Sequence, residues 1–359
     1  MITILPARLK LLHFPRSHLP HVTHAIVKSC FFDDIKSPEY FFSFTENAYE
    51  ISVAANVSII DQGFLPFLTS CPDLSTSPDI FRVLQVDDAG GQDASGKRIS
   101  ELSEPLAQGK FSIFYMSTYQ TDFVLVKERR MRQAVQVLLD HGFEFDQDSL
   151  DMYHHNIQEL QMIQQSNTST DSLVSTSAES YASSIQVHEE SSTTNNDIES
   201  SVLKNELRCA GLNPHNRSSW ATTMLKIMSF PELLSSPIST ATATRFFSYT
   251  ATSDGISLLA DKHILNLFEE ETLFQDEDTV PLRVIQVNLA GTNLDRCGIV
   301  RSISHPLATD DINLLYLSTF KSANIIVSAD DIERADGLLR SDLEKMRDLL
   351  NDIVLEPLQ

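Results

Sequence analysis

Gly91, Gly96, Lys97 and Arg98 stand in the order of a phosphate-binding loop, between an apolar run and a helix-like one. Such a loop needs a hydroxyl next to its lysine to hold magnesium. Arg98 takes that place, and Asp87, Asp88 and Asp93 would lie against the phosphates, so nucleotide chemistry is not expected. His13, His18, His21, His24 and Cys30 crowd the amino-terminal stretch, and His21 and His24 are spaced to share a helix face as zinc ligands do. No paired cysteines or acidic partner follow at usable spacing, so neither a metal nor a cofactor is expected. No GxSxG elbow offers a serine nucleophile. No carboxylate pair stands out among 49 acids. The residue types point away from an enzyme.

The bulk numbers narrow the partners. The chain has 359 residues, 42% of them hydrophobic and 21% charged, which suits several small globular units. A net charge of −22 repels phosphate backbones and anionic membrane surfaces, so no nucleic-acid or membrane partner is expected. No apolar run reaches the roughly 18 residues of a membrane span. Cys30, Cys71, Cys209 and Cys297 lie far apart with no evident secretory signal, which reads as reduced thiols in a cytoplasmic protein. Before Asp33 there are bases but no acids, as in a transit peptide, yet the Ser-rich amphipathic pattern of one is missing.

The elements that must position any site occur twice. Arg82–Val86, Pro105–Ala107 and Tyr115–Thr118 reappear 201 residues later as Arg283–Val287, Pro306–Ala308 and Tyr316–Thr319. Phe41–Thr45 with Ile51–Val53 returns 205 residues on as Phe246–Thr250 with Ile256–Leu258. A repeat of this kind sets the architecture. Each half holds two strand–helix–hairpin modules, so the expected fold is α+β: four ferredoxin-like βαββαβ domains in two homologous halves. Their expected bounds are 1–77, 78–150, 205–278 and 279–359. Between them, 151–204 is expected to be a disordered linker, because roughly half of residues 166–201 are Ser or Thr and almost none is aromatic. Phe143–Phe145 should begin a last strand after a helix that Gly142 caps. Ile332, Leu339, Leu343, Met346, Leu350 and Ile353 form a stripe on a final helix, suited to burial on its own sheet or to pairing in a homodimer. Modules laid side by side expose a helix start at their joint, where backbone N–H groups suit the carboxylate of a small ligand such as an amino acid.

The run Ser117-Thr118-Tyr119-Gln120-Thr121-Asp122-Phe123, with Cys297-Gly298-Ile299-Val300, Pro306-Leu307-Ala308 and Ser318-Thr319-Phe320, resembles the CASTOR family. These are cytosolic arginine sensors for the TOR kinase complex, built of ACT domains like the regulatory tandem of aspartate kinases. The resemblance implies a non-enzymatic amino-acid sensor with its ligand between modules two and four. It places ligand contacts on Ser112, Ile113, Gly298, Ile299, Val300, Thr319 and Phe320, and a GATOR-like partner surface on Tyr119, Gln120 and Asp122. Two acids that grip the ligand's guanidinium in the family fall on Arg296 and Ala323, and Asp295 is adjacent. A cation and an alanine at those places favour a neutral or acidic amino acid over arginine. The alternatives are an allosteric ACT subunit of an amino-acid biosynthetic enzyme, or a scaffold without ligand.

Overall fold

In each half the chain lays down strand, helix and hairpin twice. The computed structural model describes residues 1–87, 95–155, 198–230, 245–274, 280–289, 291 and 293–351, with side chains described as far as residue 342. The first unit is β1 (Ile2–Phe14), α1 (Leu19–Phe31), β2 (Phe41–Glu46) and β3 (Ile51–Asn56), with a short β4 (Ser75–Thr76) after it. The second is β5 (Phe81–Val86), α2 (Ser95–Gln108), β6 (Ile113–Ser117), β7 (Asp122–Lys127) and α3 (Met131–Asp140). After β8 (Glu199–Val202) the third unit is β9 (Leu207–Leu212), α4 (Arg217–Ser229), β10 (Phe247–Thr252) and β11 (Gly255–Asp261), followed by β12 (Leu273–Phe274). The fourth is β13 (Leu282–Asn288), α5 (Ile299–Thr309), β14 (Leu314–Ser318), β15 (Ser322–Ser328) and α6 (Ile332–Asn351).

Every unit has the antiparallel order hairpin-first, hairpin-second, opening strand, as a ferredoxin-like unit does. The expected fourth strand is cut to two residues in units one and three, where β4 pairs antiparallel with β1 and β12 with β9, and unit two forms none among the described residues. Phe145 makes only an isolated bridge to Ile2. Its place is taken by a neighbour, because β1 pairs antiparallel with β5. The register shifts between Leu5 and Arg8, where Pro6 removes a ladder donor. The sheet then runs on through β2–β10 and β6–β14 and returns to β9 through a pair at Leu282 and Leu207, so the strands form a ring.

Three cores follow from strand alternation. On β7, Val124 and Val126 face the helices of units two and four, whereas Phe123 and Leu125 point into the ring. A third core lies under α1 and α4. On the last helix Ile332, Ala335 and Leu339 are buried against unit four, the first of the two meanings of that stripe; Leu343 and the stripe beyond it lie outside the described side chains.

The ends of the expected linker are structured. Residues 147–155 are helical and bury Leu150 and Tyr153, while β8 pairs with β13 from Ile285↔Val202 to Asn288↔Glu199. Leu150 and Tyr153 belong to the core of units two and four, and Ile198 and Val202 pack against it. Residues 156–197, and the Gly-rich loop at 88–94, lie outside the described residues.

Candidate functional site

The two halves join broadly on one side and narrowly on the other. Six residue pairs align β2 with β10, from Phe247↔Glu46 to Thr252↔Phe41. Only Leu317↔Met116 aligns β6 with β14. There, serine hydroxyls stand in for ladder partners: Tyr115 N–H donates to Ser318 Oγ (3.0 Å) and Tyr316 N–H to Ser117 Oγ (3.1 Å). The two bonds are related by the 201-residue repeat. Above them α2 and α5 pack together, with Arg301 reaching Glu104 at 3.0 Å. Gly96 permits this approach, since a Cβ there would sit 2.5 Å from the Ile312 carbonyl oxygen.

The segment entering α5 lies at this joint and gathers most of the expected ligand residues. Ser112 is fully buried and its hydroxyl donates to the Leu294 carbonyl at 2.8 Å. Asn293 N–H donates to the Phe320 carbonyl at 2.8 Å, and Leu289 N–H to that of Lys321 at 3.1 Å. Ser112, 293–300 and Thr319–Phe320 are therefore contiguous. Gly298 opens the helix with φ +81°, a left-handed conformation that favours glycine, and no side chain caps the first turn. The leading N–H groups of an α-helix have no partner within it and attract anions. Ile113, Ile299 and Val300 are buried beside them.

The expected polar residues are differently disposed. Asp295 pairs with Lys127, whose side chain is fully buried and also meets Asp79 at 3.1 Å. Arg296 donates to the Leu289 carbonyl, and partial burial lowers its pKa. Thr319 bonds Ser322 within its own turn.

Asn293 was not anticipated. It is 1% exposed, yet neither its amide nitrogen nor its amide oxygen has a hydrogen-bond partner. A buried amide left unpaired costs about 1–3 kcal/mol, and most such groups have a partner. A lone asparagine in a loop gives no sequence signal; only burial exposes it.

The repeat makes a second comparison. In unit two Asp122 accepts from Tyr115 Oη (2.8 Å) and from Arg98 Nη2 (2.9 Å). The matching residues of unit four are Ala323, Tyr316 and Ile299. Tyr316 Oη is buried there without a partner, and burial raises the phenol's pKa. Unit four thus lacks the carboxylate with which unit two holds a guanidinium.

Asp122, expected on the partner surface, is inside the protein: alternation on β7 turns it toward Tyr115 under α2. Gln120 is exposed and Tyr119 half-buried. Tyr119 N–H donates to Ser257 Oγ (2.8 Å), with its ring over Gly211. On the opposite side Phe320 N–H donates to Ser52 Oγ (3.2 Å), and its ring lies 4.4 Å from that of His13. Each half thus inserts one loop into the opening unit of the other.

Only one of these crossings is ionisable. His13 Nδ1 lies 3.7 Å from Glu50 Oε2, and Glu50 Oε1 accepts from Lys321 N–H at 2.7 Å. Burial, with Lys321 adding to it, lowers the imidazole pKa to about 3. Burial raises the Glu50 carboxyl to about 7 against the backbone bond from Lys321. Between pH 4.5 and 7 the folded state holds a proton on Glu50 that the unfolded state has lost, so this group makes stability fall as pH rises. Between pH 3 and 6.5 the unfolded state holds a proton on His13 that the folded state lacks, so that group makes stability fall as pH falls. The slopes oppose one another in mid-range. Glu50→Gln removes the first alone, so urea denaturation should show the variant gaining on the parent by up to about 3 kcal/mol between pH 4.5 and 7. Parallel profiles would contradict the assignment.

Residues 76–140 and 280–341 match the ACT domain family. The match falls on units two and four, which enclose the joint. The chain is 26% identical over 336 residues to the mouse "Cytosolic arginine sensor for mTORC1 subunit 1", covering 92% of this chain and 93% of that protein. The human protein of that name is also 26% identical, over 337 residues, with 92% and 94% covered. The likeness is to the cytosolic arginine sensors. A human "Putative protein CASTOR3P" is 35% identical over 95 residues, 25% of this chain and 55% of that protein. Among solved structures, an aspartate kinase from Synechocystis aligns with 96% of this chain and 55% of its own, at 9% identity and a TM-score of 0.31. Among the described residues no helix is long and apolar enough to cross a membrane.

Proposed function

We propose that the chain is a non-enzymatic, cytoplasmic amino-acid sensor of four ACT domains, acting on TOR signalling through a GATOR-like partner. The ligand is a free amino acid held between units two and four, its carboxylate at the start of α5 and its polar groups read by Asn293. Ser112, Ile113, Asp295, Arg296, Gly298, Ile299, Val300, Thr319 and Phe320 surround it. The observation that carries this reading is the unpartnered Asn293 amide, buried where Ser112, the α5 segment and Phe320 converge. With Arg296 and Ala323 standing where the family has its two acids, the ligand is neutral or acidic. Tyr119, Gln120 and, behind them, Asp122 form the turn the partner reads. That turn sits on the third unit, so any shift of the halves moves it.

Asn293→Leu separates this reading from a purely structural asparagine. An apolar isostere relieves the unpaired amide, so the melting temperature without ligand should hold or rise. A thermal-shift screen of the twenty amino acids should show stabilisation of the parent by at least one neutral or acidic ligand and none in the variant. Flat curves for the parent, or equal shifts in the variant, would remove the reading.

A further inference from the structure

The histidines of the amino-terminal stretch lack a metal partner nearby in sequence, but the fold brings one from the far end of the first unit. His18, His21 and Cys71 each offer a ligand atom, and these atoms lie within 4.8 Å of one another. His18 ends the turn that leads into α1, and His21 stands on its first turn, exposed; their rings meet edge to face at 5.9 Å. Cys71 is buried, fixed by its N–H to the Phe67 carbonyl (2.8 Å) and by Leu74 N–H to its own carbonyl (3.0 Å). Its thiol is free of any disulfide. Asp73, two residues on, places Oδ2 3.3 Å from His18 Nε2.

We infer that His18, His21 and Cys71 bind a zinc-class transition metal, with Asp73 as fourth ligand or as the carboxylate that orients His18. Thiolate sulfur and imidazole nitrogen are ligand atoms that zinc takes. Zinc bonds of about 2.0–2.3 Å put tetrahedral ligand atoms roughly 3.3–3.6 Å apart. The cluster must therefore contract by about an ångström, within reach of the exposed His21 side chain by rotation about its own bonds. Thiolate and carboxylate together balance a divalent charge. A carboxylate on one imidazole nitrogen sets the tautomer and leaves the other nitrogen for the metal. Bound metal would clamp the start of α1 to the connection before β4, adding to the apolar packing of Leu19 and Val22 with Cys71 and Leu74. None of His18, His21, Cys71 and Asp73 is among the residues proposed to surround the amino acid, so the site stands or falls apart from the ligand reading.

The test is Co2+ titration of the chelator-treated full chain, followed by displacement with Zn2+. One equivalent of Co2+ should give tetrahedral d–d bands and a thiolate-to-cobalt charge-transfer band, both bleached by Zn2+. Cys71→Ser should abolish the charge-transfer band. Cys297→Ser, changing the one cysteine that is not buried, should leave it intact. Asp73→Asn should weaken Co2+ binding about 10- to 100-fold. His21→Ala alters an exposed position, so it should keep the metal-free melting temperature while losing the tetrahedral spectrum. Absence of the charge-transfer band in the parent, or its survival in Cys71→Ser, overturns the site.

Discussion

Glu46→Ala should lower the stability of the chain by about 3–5 kcal/mol in urea denaturation at neutral pH. Glu46 is buried where β2 meets β10, and its Oε2 accepts from Arg245 Nε at 2.9 Å. Arg245 also donates to the Ile227 carbonyl at 2.8 Å. Burial lowers the Arg245 pKa to about 10, against the attraction of Asp261, so the guanidinium is still charged at neutral pH. Removing its carboxylate leaves a cation inside the joint between units one and three. Arg16 pairs with the other Glu46 oxygen, but its side chain is 51% exposed and regains water when the pair is lost. Arg16→Ala should therefore cost under about 1 kcal/mol. The contrast separates a buried partner from a solvated one. A loss under about 1 kcal/mol for Glu46→Ala would show that Arg245 reaches solvent.

Phe123→Ala should cost about 3–5 kcal/mol, although Gln120, three residues before it, lies on an exposed turn. The ring is 2% exposed inside the strand ring and stands edge-on to Phe41 of the first unit, with centroids 5.3 Å apart. A double-mutant cycle with Phe41→Ala should return a coupling of about 0.5–1.5 kcal/mol. Gln120→Ala, on the exposed turn, should stay within about 0.5 kcal/mol of the parent. If Phe123→Ala were as mild, the ring would not be closed around a packed interior.

The same short run thus serves three environments, and that shows how far sequence reading reaches. The repeat, the α+β class and the strand–helix–hairpin order of each unit were legible, because apolar periodicity and Gly142 act locally. The structure agrees closely at β5 and the first hairpin, and Gly142 has the left-handed φ of +83° that its cap requires. Burial of Asp122 was foreseeable in principle from alternation on β7, which puts it on the same face as Val124. The resemblance to the CASTOR family placed it on a partner surface.

Other features depend on residues far apart in the chain. The fourth strand that the second unit lacks among the described residues is replaced by β1, which pairs with β5, a choice between partners that local pattern does not encode. Asn293 matters only because Ser112, from another unit, seals the loop around it. Cys71 lies beside His18 and His21 because α1 and the connection before β4 pack on one face of the first unit. By itself the sequence determined the units and their duplication, since helix and strand periodicity are properties of neighbouring residues. Only tertiary structure decided which unit lends a strand to which and which polar groups are buried unpaired, because burial is set by what the rest of the chain brings near.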